Sequence, residues 1–286
     1  MNILERSALE QLARNMPSLP GMATPFITPP PEDGARLGFG AADIDGHLGG
    51  GLMRGTLHEV RCAQTRGIGI ATGLVLGLLA RLERSDRRIV WVSDPAAEPE
   101  AGCLYPDGLV QLGFDPARLI VVTPKDMKDA LWAGDQAAGC EGIAALVMHV
   151  RGNPGKLDLT ATRRLMLRAR ESRVTVLILR QGGEGEPGAA ATRWEVTPLP
   201  SLTHEAFREG IGRPTVMARL ERNRSGRNGV WRLAFDPERK GFIHVPESST
   251  AQEAPTADRL DLPAASGKRP DRPAEMGQVM AFERAS

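Results

Sequence analysis

Residues 43–82 constrain the fold more than any other stretch: DIDGHLGGGLMRGTLHEVRCAQTRGIGIATGLVLGLLARL. A Gly-rich turn, Gly49-Gly50-Gly51, leads through Gly55 to a buried strand expected over Thr56 to Val60. A loop follows over Ala63 to Gly69. From Ile70 the apolar residues Leu74, Val75, Leu78, Leu79 and Leu82 fall on one helical face. Strand, glycine-bearing loop and helix, in that order, is the context a phosphate-binding loop requires.

The loop lacks the matching chemistry. A phosphate-binding loop wraps phosphates with backbone N–H groups, fixes a Lys charge beside them and holds magnesium on a Ser or Thr hydroxyl. Aligned with G-x-x-x-x-G-K-[ST], Cys62 stands at the first Gly, Gly67 at the second, Ile68 at the Lys and Gly69 at the Ser/Thr. Ile68 carries no charge and Gly69 no hydroxyl, and Arg66 would approach from a different direction. The stretch reads as the scaffold of a nucleotide site without its cofactor-binding groups, so no cofactor is expected.

Two other readings of the stretch fail. Gly69, Gly73 and Gly77 are spaced four apart in an apolar run, as in a membrane-helix dimer face. The run reaches Arg81 well short of the roughly 20 residues a span needs. No membrane association is expected, and the glycines are read as letting the helix lie close to a sheet. His58-Glu59 does not open a zinc-protease motif, because Cys62 stands where the second His would be.

Strands that are near-continuous apolar runs alternate with helices along the rest of the chain. They are Arg88–Ser93, Leu119–Val122, Ala144–Val150 and Val174–Leu179, with helices over 106–113, 126–138 and 158–173. That pattern predicts an α/β three-layer domain with a mostly parallel central sheet covered on both faces. The expected organisation is an N-terminal helix (1–16), a Pro-rich linker (17–35), the core (36–245) and a disordered C-terminal tail (246–286). A net charge of +1 gives no global attraction to nucleic acid, so any such contact must be local. Cys62, Cys103 and Cys140 lie far apart, without metal-ligand spacing, and an odd number argues against a disulfide framework. No metal is expected. The N-terminus has no signal-peptide pattern, and a cytoplasmic location is the expectation.

Three further features bear on function. The strand over 144–150 brings His149 to the place where an acidic magnesium-organising residue would stand, and Asp94-Pro95 reads as a capped turn. Gln181 to Ala191 (QGGEGEPGAAA) is rich in Gly and Ala, carries Glu184 and Glu186 but no cation, and is expected to be a mobile loop. From Arg208 to Lys240 nine basic residues face four acidic ones. A β-hairpin there, with strands over 216–222 and 230–235, would gather Arg219, Arg222, Arg224 and Arg227 near its turn. These four are the candidate contact to DNA backbone or to an acidic partner. No nucleophile–base pair is legible anywhere, so no catalytic residue is assigned.

The order of several short motifs resembles the RecA family core, and more closely the ImuA family of bacterial damage-induced mutagenesis. The residues that carry this are Gly49-Gly50-Gly51-Leu52, Gly55, Leu57-His58-Glu59-Val60, Leu112-Gly113-Phe114-Asp115-Pro116, Leu157-Asp158-Leu159-Thr160, Thr192-Arg193-Trp194 and Arg222-Asn223-Arg224. They span about residues 36 to 245. His149 departs from that family's pattern, where Glu is usual. The resemblance implies a RecA-like, non-catalytic adaptor in SOS-induced error-prone translesion DNA synthesis. Its partners would be an ImuB-like Y-family polymerase homologue and an error-prone C-family DNA polymerase, with RecA and single-stranded DNA as further candidate contacts. The alternatives are an ATP-dependent RecA-like DNA-binding ATPase with an unusual loop, and a modulator of RecA filaments.

Overall fold

The computed structural model describes residues 36–82, 87–202 and 212–246. The expected N-terminal helix, Pro-rich linker and C-terminal tail lie outside these residues, Pro246 excepted.

A short antiparallel pair, β1 (Arg36–Leu37) and β2 (Leu52–Met53), encloses α1 (Ala42–His47). Of this segment the sequence shows only the turn at Gly49-Gly50-Gly51. It folds because Ile44 is fully buried and the Asp45 carboxylate accepts the backbone N–H of Phe39 at 2.6 Å and of Gly40 at 2.8 Å. Gly51 closes the turn at φ +116°, where an added Cβ would come within 2.6 Å of Gly38 Cα, so only glycine fits.

The main sheet takes β3 (Leu57–Cys62), β4 (Arg88–Ser93), β5 (Leu119–Val122), β6 (Ile143–Arg151) and β7 (Thr175–Gln181). It continues with β8 (Thr192–Leu202), β9 (Arg213–Asn223), β10 (Gly229–Asp236) and β11 (Gly241–His244). Their order is β11-β10-β9-β8-β3-β7-β6-β4-β5. Pairings from β8 to β5 are parallel, and those from β8 to β11 are antiparallel. The expected hairpin is therefore not an appendage. It extends the central sheet through β8.

The helix after β3, α2 (Ile68–Ala80), starts two residues earlier than its apolar pattern suggests, straight from a 3-10 turn over Thr65–Gly67. It packs with Trp91, Trp194, Trp231 and Phe242 on one face of the sheet. Of its glycines only Gly77 makes a close approach: a Cβ there would lie 2.6 Å from Phe242 Cζ, whereas Gly69 and Gly73 face open space. Two short helices, α3 (Glu98–Ala101) and α4 (Pro106–Gln111), follow β4. The opposite face is covered by α5 (Met127–Ala138) and α6 (Leu159–Ser172), capped at their N-termini by Asp126 and Asp158.

Candidate functional site

Every residue of β3 is buried, and strand alternation sorts them into two environments. Val60 and Cys62 join the apolar cluster under α2, whereas Glu59 and Arg61 enter a polar layer on the other face.

On the α2 side, the chain between Cys62 and Ile68 is a tight turn, closed by Gly67 N–H donating to Gln64 O at 2.9 Å. Gly67 lies against Cys62, so closely that an added Cβ would be 3.1 Å from the Cys62 Cβ. The Cys62 thiol faces the Arg180 carbonyl at 3.7 Å, and burial pushes its pKa up. Ile68 is 7% exposed and belongs to the core. Cys62, Gly67, Ile68 and Gly69 are thus brought together by the fold. Gly67 packs against Cys62, and Ile68 and Gly69 put neither an ammonium nor a hydroxyl at the Lys and Ser/Thr positions. A magnesium–nucleotide does not fit these residues as they stand.

Beside this turn a cleft of about 130 Å³ is lined by Ile68, Gly69, Thr72, Trp91, Ser93 and His149, among others. His149 is buried against Trp91, ring centroids 6.1 Å apart, and burial lowers its pKa. The Gln181 side chain lies close enough to oppose that shift, yet His149 Nε2 and Gln181 Oε1 both lack a partner in hydrogen-bond geometry. They are neighbours rather than a bonded pair. Asp94 accepts from Ala96 N–H at 3.0 Å, the capped turn expected, and from Arg151 N–H at 3.3 Å. Among the described residues no three His, Cys, Asp or Glu side chains gather as a metal site.

The opposite face holds an arginine–carboxylate lattice that motif reading misses. Glu59 receives Arg180 Nε and Arg193 Nε, each at 2.9 Å, with all three side chains at most 9% exposed. Arg61 pairs with Glu221 and, at 3.3 Å, with Glu195, which also faces Arg219. The Arg61 guanidinium holds the Glu221 carboxyl below its ordinary range. The signal was present in the sequence as period-2 alternation of charged and apolar residues in Glu59–Cys62 and Arg193–Val196.

This lattice pins the loop expected to be mobile. Arg193 donates to Glu186 O, Arg222 to Gly188 O at 2.9 Å, and Arg224 to Ala190 O at 3.1 Å and Gly188 O at 3.2 Å. Ala189 and Ala190 are buried as a result, and Ala189 N–H donates to Thr162 Oγ1 at 3.2 Å. Arg222 and Arg224 thus spend part of their donor capacity inside the protein. Arg224's pKa is lowered, first by burial and then by the charges of Arg222 and Arg170. Arg219 and Arg227 are exposed, the latter on the hairpin turn, which His47 fastens by bonding the Arg227 carbonyl at 2.8 Å.

No family model matches the sequence. Protein ImuA of Caulobacter vibrioides, from strains NA1000 / CB15N and ATCC 19089 / CIP 103742 / CB 15, is 34% identical over 214 residues. The match covers 69% of this chain and 82% of that protein. The chain belongs to the ImuA family. The crystal structure of the RadB recombinase superposes with a TM-score of 0.50 at 18% identity, over 73% of this chain and 100% of that one. The family's fold in this chain is RecA-like, as its motif order implied. No helix among the described residues is long and apolar enough to cross a membrane.

Proposed function

We propose that this ImuA-family protein is a non-catalytic accessory protein of SOS-induced, error-prone translesion DNA synthesis. It acts with an ImuB-like Y-family polymerase homologue and an error-prone C-family DNA polymerase. The observation that carries the non-catalytic reading is the closed turn between β3 and α2, where Gly67 rests on Cys62 and Ile68 stands for the Lys. Family membership supports the pathway.

In this reading the RecA-like sheet is a platform. Its antiparallel extension offers Arg219, Arg222, Arg224 and Arg227 as the contact to a partner or to single-stranded DNA. Loop carbonyls hold Arg222 and Arg224, and Glu195 faces Arg219, which limits the entropy these three lose on docking.

Two measurements test the proposal. Titration calorimetry with Mg-ATP should give no heat of binding up to millimolar nucleotide; saturable binding would contradict it. Co-purification of tagged protein from mitomycin-treated cells should recover the two polymerase-related partners, and their absence would remove the pathway assignment.

A further inference from the structure

The outer face of α6 combines features that a merely solvated helix lacks. At about 100° per residue, Leu159, Arg163, Leu167 and Arg170 fall within about 80° of arc. Leu159 is 52% exposed and Leu167 47%. Arg163 and Arg170 are exposed too, and no carboxylate of the described residues pairs with either. The other two arginines of the helix, Arg164 and Arg168, are tied to Asp135 at 2.9 and 3.0 Å. The charge on the outer face is therefore uncommitted, while the charge beside it is committed.

The face continues beyond the helix. Thr162 of α6 holds the loop through Ala189, and Arg222 and Arg224 reach the same loop from the hairpin. Arg170 is near enough for its charge to disfavour that of Arg224. Arg163 and Arg170 thus flank two exposed leucines on α6, Arg222 and Arg224 hold the adjoining loop, and none of the four has an ion-pair partner among the described residues, although Glu171 stands one turn beyond Leu167. Bare phosphate backbone would use the cations and leave the leucines in water. A segment that alternates carboxylates with leucines would satisfy both.

We infer that the α6 face, with Arg222 and Arg224 at its border, is a docking surface for an acidic, leucine-bearing peptide segment of a protein partner. The inference rests on the adaptor reading only in taking the occupant to be a protein. Leu159 and Leu167 are the apolar anchors, and the arginines set orientation and encounter rate.

The test uses the full chain and a fluorescein-labelled 16-residue peptide of four Glu-Leu-Leu-Glu repeats, followed by anisotropy. Saturable binding is expected. Leu159→Ser/Leu167→Ser and Arg163→Glu/Arg170→Glu should each weaken it by about tenfold or more, as loss of interface anchors does. All four positions are exposed, so thermal melts of these variants should match the wild type. The same peptide with Lys for Glu should not bind. Binding insensitive to the leucine substitutions would overturn the inference, as would the absence of saturable binding. Competition by a 20-nucleotide oligo-dT that needs Arg163 and Arg170 but not the leucines would assign the face to DNA instead. Peptide affinity raised tenfold by deleting residues 247–286 would make the protein's own tail the occupant and equally overturn it. Failure of the peptide with damage-induced mutagenesis intact would leave the adaptor role standing.

Discussion

Glu59 and Arg193 lie opposite each other on the neighbouring parallel strands β3 and β8, and their side chains form a 2.9 Å ion pair in the protein interior. Arg180 completes the arrangement from β7 on the other side. One carboxylate thus joins the three central strands. Through Arg193 it also reaches the loop after β7.

Removing that carboxylate leaves Arg180 and Arg193 buried without their shared ion-pair partner. Glu59→Ala should cost about 3–5 kcal/mol, the range for breaking a buried pair from one side. Urea denaturation checks this. A loss below about 1 kcal/mol would mean that water enters and solvates the arginines.

The loop over 182–191 should loosen when its arginine clamps are cut. Arg222→Ala/Arg224→Ala is expected to raise amide hydrogen exchange at 186–191 while leaving α6 and β3 protected. Unchanged exchange would show that the remaining contacts, Arg193 to Glu186 O and Ala189 N–H to Thr162 Oγ1 with the burial around them, suffice to hold the loop.

His58 makes stability pH-dependent. It is fully buried, with one ring nitrogen 2.7 Å from Thr192 Oγ1 and the other 2.7 Å from Met53 O. Trp194 donates to the same Thr192 oxygen at 2.9 Å, which leaves the Thr192 hydroxyl to donate to a neutral ring. Burial lowers the pKa from 6.5 to about 4. The unfolded chain therefore binds the proton first, so stability is intact above pH 6.5 and falls as pH drops toward 4. The loss is on the order of 3 kcal/mol. His58→Gln should flatten the curve in that window; an unchanged slope would assign the titration to another group.

Two glycines of α2 should respond with opposite sign. Gly77→Ala drives a methyl into Phe242 and Phe235 and should cost about 1–3 kcal/mol. Gly73→Ala meets open space and should stabilise by up to about 1 kcal/mol through helix propensity. Thermal melts of the two variants decide it.

What could be read in advance follows the range of the forces involved. The alternation of apolar strands and helices, the capped ends of α5 and α6, and the missing Lys and Ser/Thr are local features, and a sequence displays them. β8 is not among the strands expected from sequence, and it carries Pro198 and Pro200, which sheets disfavour. The strand tolerates them since β3 pairs only with Thr192–Glu195, and beyond that point β8 has β9 on one side alone. The contacts of the loop after β7 were hidden for a related reason. Its own composition is flexible, but its carbonyls are held by arginines up to 36 residues away. The candidate contact arginines were found by their charge density, whereas their internal bonds depend on register and could not be.

Function in damage-induced mutagenesis without nucleotide is put to the test by Gly69→Glu. The position lies in the first turn of α2, where a Cβ meets nothing within 4 Å and a carboxylate suits the helix dipole. The fold should therefore be kept, while any phosphate at the turn would be repelled. The measurement is the frequency of rifampicin-resistant mutants after mitomycin treatment, in a deletion strain complemented with wild type or with Gly69→Glu. Loss of induced mutagenesis is expected in the deletion strain, with full restoration by both. A folded Gly69→Glu protein that fails to restore it, or a deletion that leaves the frequency unchanged, would contradict the account.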